Sequence, residues 1–303
     1  MRSRTGRLAA GLAALAVAAA GCGSSTGETA GPRADQVAVV ASTNVWGSVV
    51  RAVGGDAVYV TSIINDPGAD PHGYEARPAD AVAVTGAKLL VFNGGGYDDF
   101  FTGLAGQAGA NARQIVTFDL SDKGPIGTAN EHVWYDLPTV RKVADKIAEE
   151  LGVLAPDHRD QFSANAKDFD TLLDRLLDRT AAIGRDKPDG KVAATEPVAA
   201  YLVETAGLTD ATPTEFAEAV ENETDPPAAA VAELTGLVER KAVGALINNA
   251  QAETPATRAA KESAGRVGIP VVDVTETLPQ GATGYLDWMT KQVNALAAAM
   301  AKS

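Results

Sequence analysis

Two of the three histidines in this 303-residue chain keep similar company. His72 lies in Ala69-Asp70-Pro71-His72-Gly73-Tyr74-Glu75 and His132 in Asn130-Glu131-His132-Val133-Trp134-Tyr135-Asp136, each with an aromatic residue two places on. Farther along, two acids close short β-rich runs: Glu196 ends Lys191-Val192-Ala193-Ala194-Thr195-Glu196, and Glu276 ends Pro270-Val271-Val272-Asp273-Val274-Thr275-Glu276. Two imidazoles and two carboxylates form a donor set that suits a divalent first-row metal. Carboxylates at a dry interface are costly without a cation beside them. Pro67, Pro71, Pro138 and Pro197 flank these segments and can hold a ligand loop in shape before any ion arrives.

Each residue also has a plainer reading. A histidine in a turn is commonly a hydrogen-bonded surface group, and Glu196 or Glu276 could be a helix-start carboxylate favoured by the macrodipole. His158 has only polar neighbours and reads as solvated, while Tyr74, Trp134 and Tyr135 read as packing beside a site. What separates the readings is whether the fold brings the four residues together.

From Val37 onward, short β-rich runs alternate with helical patterns. Residues 37–42 read as a buried strand, and Thr43 or Asn44 can cap a helix that ends at Gly54-Gly55. Residues 58–64, 88–93 and 114–120 give three more strands, with helices at 78–87 and from Tyr97. Strand and helix in strict turn imply a parallel sheet covered on both faces, which binds ligands outside the carboxyl ends of its strands. His72 follows the second strand and falls on that edge.

Between Leu137 and Gly184 only helical patterns occur. Phe162, Ala166, Phe169, Leu173, Leu176 and Thr180 recur at three- and four-residue steps as one apolar stripe. A helix of about 28 residues spans roughly 42 Å, longer than one small lobe needs, and so reads as a brace between two lobes. Strands at 191–196, 242–249 and 269–276 then alternate with helices at 198–207, 226–241, 254–268 and from Tyr285. The expected fold is α/β: two (β/α) lobes with parallel sheets joined by a long rigid helix, the metal site lying in the cleft between them. The expected boundaries are 37–155 for the N-terminal lobe, 156–187 for the connecting helix and 188–303 for the C-terminal lobe.

The chain opens with Arg2, Arg4 and Arg7 before an apolar run, 8–20, too short to be a stable membrane anchor. Residues 1–21 read as a secretory signal peptide. Ala18-Ala19-Ala20-Gly21-Cys22 resembles a bacterial lipobox, which makes Cys22, the sole cysteine, the expected site of lipid attachment. Residues 22–36, rich in Gly, Ser and Thr, suit a flexible tether. Removing residues 1–21 takes away three arginines, moving the net charge from −13 to about −16. A body this acidic has no electrostatic footprint for nucleic acid.

Asp70 to Asp80, Asn93-Gly94-Gly95-Gly96-Tyr97-Asp98-Asp99-Phe100 and Asn130 to Pro138 resemble, in order and spacing, the signature segments of the substrate-binding lipoproteins of zinc and manganese ABC importers. The similarity continues through residues 195–208, 225–249 and 268–289. It implies two lobes joined by a rigid helix, and a metal site with one ligand from each of four segments. Matched position by position, the first two ligands fall on His72 and His132. The third, His in many members and a carboxylate in others, falls on Glu196, and the fourth on Glu276, with Asp273 as the lesser choice. The implied protein is a monomer, lipid-anchored through Cys22 to the outside of the cell membrane and without catalytic residues. It captures Zn2+ or Mn2+ and passes the ion to an ABC importer permease and, through it, to the ATPase.

Two departures bear on the cargo. The usual Asp-Pro-His before the second ligand is here Asn130-Glu131-His132, and residues 121–130 lack the His-rich loop of many zinc-importing members. With a glutamate at the third position, these lean toward manganese without deciding against zinc. Two other classes are weighed beside this one. A secreted zinc metallohydrolase needs an open metal position and a general base, and the chain has no HExxH-like helix motif. An adhesion lipoprotein that needs no metal is the third.

Overall fold

The computed structural model describes residues 31–69 and 71–302; Cys22, the expected signal peptide and the tether as far as residue 30 lie outside them. The first sheet is built from β1 (Val37–Thr43), β2 (Val58–Ile64), β3 (Leu89–Phe92) and β4 (Arg113–Val116) in the order β2-β1-β3-β4. The second contains β5 (Lys191–Ala194), β6 (Thr209–Asp210), β7 (Ala245–Asn249) and β8 (Val271–Val274) in the order β6-β5-β7-β8. Every pairing is parallel, with Val39 opposite both Val60 and Leu89 and Val192 opposite both Asp210 and Ala245. All strands of a sheet therefore end on one edge. The inner strands are wholly apolar or nearly so because helices cover both faces: Leu89, Leu90, Val91 and Phe92 are all buried.

Helices α1 (Asn44–Gly54), α2 (Pro78–Gly86) and α3 (Asp99–Ala105) connect the first sheet, and α4 (Leu137–Leu154) leads out of it. Then comes α5 (Arg159–Asp186), whose 28 residues match the expected brace, entered through a 3-10 turn at Pro156–His158. The second sheet is connected by α6 (Ala200–Thr205), α7 (Thr214–Glu221), α8 (Ala228–Glu239) and α9 (Pro255–Val267), and α10 (Tyr285–Met300) closes the chain. Among the described residues no helix is long and apolar enough to cross a membrane.

The stripe read on α5 is its buried face, extended by Ile183. It packs on α1 and α4 from the first lobe and on α6 and α10 from the second. One apolar core consequently runs through Val49, Leu173, Leu202 and Met289 without a break, while each lobe keeps a smaller core on its outer side. The brace is thus shared core rather than a spacer. Near its end it passes so close to the turn after α6 that a Cβ on Gly184 would stand 2.3 Å from the Ala206 carbonyl oxygen.

Three local expectations change. The strand expected over 114–120 stops at Val116, because Phe118–Leu120 turns as a 3-10 helix. The helix expected from Tyr97 begins at Asp99. The second lobe gains β6 and α7, which the sequence pattern does not reveal: α7 offers only Phe216 and Val220 as a buried pair among acids.

Gly184→Ala is expected to cost about 2 kcal/mol through overpacking against backbone that cannot give way. Gly265→Ala, where a Cβ meets nothing within 4 Å, should be neutral or stabilising. Urea unfolding of the two variants beside the parent checks both.

Candidate metal centre

Loops from the carboxyl edges of both sheets meet at one place. The 65–77 loop after β2 carries His72, and the 117–136 connection after β4 carries His132. Glu196 and Glu276 each stand two residues past a strand end, after β5 and β8.

The glycine turn after β3 supports both histidines. Gly94, Gly95 and Gly96 have φ of 70°, 72° and 101°, the region that glycine enters freely. A Cβ on Gly94 would meet Val116 at 2.4 Å and one on Gly95 the Phe118 ring at 2.6 Å, so this backbone can lie against the end of β4 and the turn after it only without side chains at these two positions. Buried Asp98 pins the turn by accepting from the Asn93 and Gly94 amides at 2.7 Å each. Its pKa is raised, chiefly by burial and against those hydrogen bonds. The turn sets the buried Tyr97 ring edge-on to His72 at 4.9 Å and 5.9 Å from His132. Asn93, whose Oδ1 accepts from Trp46 Nε1, donates through Nδ2 to the Glu131 carbonyl at 2.9 Å and so fixes the second histidine's loop.

His132 is fully buried. Its backbone N–H donates to Asn130 Oδ1 at 2.9 Å, and its Nδ1 lies 2.7 Å from the same oxygen. Asn130 Nδ2 donates to the Pro197 carbonyl at 2.7 Å, which fixes the amide so that Oδ1 faces the imidazole. Nδ1 therefore carries the proton and Nε2 presents its lone pair, the tautomer a metal requires. Burial, then the nearby His72, holds the His132 pKa well below the usual 6.5 and keeps the ring neutral. Nε2 makes no hydrogen bond among the described residues; Glu221 Oε1 lies 3.6 Å away. His72, an exposed residue whose side chain is about a quarter exposed, presents Nε2 at 3.7 Å from Glu276 Oε2.

In the second lobe the two buried acids share one amide. Asn249 Nδ2 donates to Glu196 Oε2 at 2.5 Å and to Glu276 Oε1 at 2.8 Å. Gln251 then ties the second lobe to the first. Its Oε1 accepts from the Glu276 and Thr277 amides, and its Nε2 donates to Thr277 Oγ1 and, across the cleft, to the Pro67 and Ala69 carbonyls at 2.8 and 3.3 Å. On the other side of the site the Asn130–Pro197 bond is joined by Tyr201, whose hydroxyl donates to the Asn130 carbonyl at 2.6 Å. Each histidine loop is thus fastened to the acid segment facing it.

His72, His132 and Glu276 come together, with one ligand atom from each lying within 4.8 Å of the others. Glu196 is buried beside them and joined to Glu276 through Asn249, but falls outside that group. Asp273, the lesser choice for the fourth ligand, is turned away: its side chain is about half exposed and pairs with Lys261 at 3.0 Å. His158 lies far along the chain at the start of α5, 3.3 Å from Gln161. Trp134 and Tyr135 pack as expected, and Tyr74 donates to Asp80. Sequence reasoning missed Asn249 and Gln251, polar residues whose meaning depends on loops meeting, and Glu221. A second group, His72, Glu131 and Glu221, also lies within 4.8 Å.

The family of the zinc-uptake complex component A, periplasmic, matches residues 39–299. The manganese-binding lipoprotein MntA of Bacillus subtilis is 33% identical over 173 residues, 55% of either chain, so the alignment spans about half the length of that curated relative. The periplasmic zinc-binding protein TroA from Treponema pallidum superposes with a TM-score of 0.73 at 16% identity, over 88% of this chain and 99% of that one. A crystal structure of ZnuA superposes with a TM-score of 0.72 at 24% identity, over 89% and 99%. At these identities the two superpositions establish the two-lobed fold.

Gln251→Leu removes both cross-cleft bonds to the 65–77 loop. At about 1 kcal/mol each, amide exchange in that loop should accelerate roughly thirtyfold. Hydrogen-exchange mass spectrometry checks this, and unchanged protection would reject the latch.

Proposed function

We propose, since the chain belongs to the zinc-uptake complex component A family, that it is an extracytoplasmic binding protein that captures a divalent transition metal, zinc or manganese, and delivers it to an ABC importer permease. The observation that carries this is the convergence of His72 and His132 from one lobe with Glu276 from the other. His132 is the best prepared ligand, because its tautomer is set by Asn130 and its ring is fully buried. Glu196 completes the expected four, supported by the amide it shares with Glu276. An ion between these groups offsets the charge of two buried acids joined through the Asn249 amide, and so favours the closed cleft.

In this reading the protein does no chemistry on its cargo. The permease docks over the carboxyl edges of both sheets, and parting the Gln251 and Asn130 contacts separates the histidine loops from the acids. The ATPase acts through the permease. A lipid on Cys22 holds the protein at the membrane surface, where it works as a monomer. The metallohydrolase and adhesion readings lose their ground, since the family is one of uptake components.

His72→Ala, His132→Ala and Glu276→Ala should each weaken metal binding by at least about 100-fold, the upper range for losing even an outer support of a ligand. Glu196→Ala should weaken it in the same direction. Competition with a chromogenic chelator for zinc and for manganese measures this, with circular dichroism to verify folding. Parent-like affinity in the His72 or Glu276 variant would reject the site. Metal content of the protein purified from its own host with both ions supplied identifies the cargo.

Cys22→Ser should abolish fatty-acid labelling and release the protein from the membrane fraction. Persistent labelling would reject the anchor.

A further inference from the structure

Glu221 belongs to none of the four segments that supply the expected ligands, yet its carboxylate stands in the site. Oε1 lies 3.6 Å from His132 Nε2, and a Glu221 oxygen lies within 4.8 Å of a His72 ring nitrogen. The position is built rather than accidental. Phe216 and Val220, both buried, anchor α7 in the outer core of the second lobe, and Glu221 is the helix's last residue. Beyond it the chain turns back at once: Glu223 N–H donates to the Val220 carbonyl at 3.0 Å and Thr224 N–H to the Ala219 carbonyl at 2.8 Å. Glu223 takes a φ of 52° to do so.

What faces Glu221 decides its role. With Nδ1–H given to Asn130, His132 Nε2 is a lone pair in a fully buried ring. It makes no hydrogen bond among the described residues. A lone pair opposite a carboxylate oxygen has no proton of its own to share with it, and a cation between them gives the buried His132 Nε2 a partner. Donors bound at about 2.1–2.2 Å to one ion stand about 3.0 Å apart along an octahedral edge and about 3.5 Å along a tetrahedral edge. The His132–Glu221 separation of 3.6 Å and the His72–Glu276 separation of 3.7 Å are close to the longer of these edges, and closing to the shorter one needs a shift of well under one ångström.

We infer that Glu221 is a further metal ligand, which adds a carboxylate oxygen to the donors beside His72 and His132 and favours manganese(II) over zinc(II). The inference rests on the metal-capture reading above. Its physical basis is donor number and type. Zinc is satisfied by four ligands, whereas manganese takes more donors and prefers oxygen. A further, anionic oxygen therefore contributes more to a manganese complex than to a zinc complex, although zinc retains the higher intrinsic affinity of the Irving–Williams order.

The test is the affinity of the full mature chain for manganese(II) and zinc(II) in four proteins: parent, E221Q, E221D and E218Q. Glu218 is exposed on the same helix, and its replacement removes one negative charge outside both ligand groups. E221Q should lose at least about tenfold in manganese affinity and no more than about threefold in zinc affinity. E221D should fall between parent and E221Q, and E218Q should match the parent. Unchanged manganese affinity in E221Q, an equal loss for both metals, or the same loss in E218Q would overturn the inference. If the parent takes up neither metal, the metal-capture reading fails and this inference with it; if the parent binds and E221Q matches it, this inference alone fails.

Discussion

Two buried carboxylates held by one amide are the constraint from which much of this structure follows. Glu196 and Glu276 come from different strands, and Asn249 is the donor they share. Like charges removed from water repel and resist ionisation unless donors or a cation offset them. The geometry around them makes sense as preparation for an ion: a neutral buried imidazole with its lone pair outward, a second imidazole 3.7 Å from Glu276, and backbone amides from the Glu276 segment tied to Gln251.

Such a centre can be specific only if its donors are placed before the ion arrives, and both the glycine turn and the brace serve that end. The turn lies where it does because no side chain on Gly94 or Gly95 fits against Val116 and Phe118, and it fixes Tyr97 and the Glu131 carbonyl. The brace contributes at longer range. Since α5 is part of one continuous core with α1, α4, α6 and α10, the strand edges of the two sheets are held in register by packing. Flexible connectors would leave that register undefined, and four loops could not then meet within a few ångströms.

The fold was largely legible in the sequence, because buried parallel strands read as short apolar runs and α5 carries a clear stripe from Phe162 to Thr180. The acids were legible for the same reason. Glu196 and Glu276 interrupt apolar runs where a parallel sheet opens, which is where ligands bind. What stayed hidden depends on tertiary placement. Helix α7 has two buried residues and no stripe, so neither it nor Glu221 could be placed. Asn249 and Gln251 look like ordinary loop polars until Pro67, Glu196 and Glu276 arrive around them. Asp273 shows the converse: it lies in the expected segment, but the alternation of a strand turns it outward to Lys261.

The contacts between lobes fall into two tiers, and the difference bears on which parts can move. In the buried tier, the Tyr285 hydroxyl donates to the Trp134 carbonyl, the Tyr285 amide to Ser48, and Asn44 exchanges two bonds with Leu278; all four bonds are buried. In the other tier, Gln251 and Asn130 reach across to backbone carbonyls in partly buried positions. The partly buried contacts are neutral hydrogen bonds, each worth on the order of 1 kcal/mol, whereas parting the buried tier would also open the shared core. The path of least cost is therefore for the ligand loops to swing while α5 and its packing stay in place. On that path His72 moves most readily, being the most exposed of the candidate donors and hung on the longest loop after a strand of its lobe other than that of His132, while the fully buried His132 stays in place.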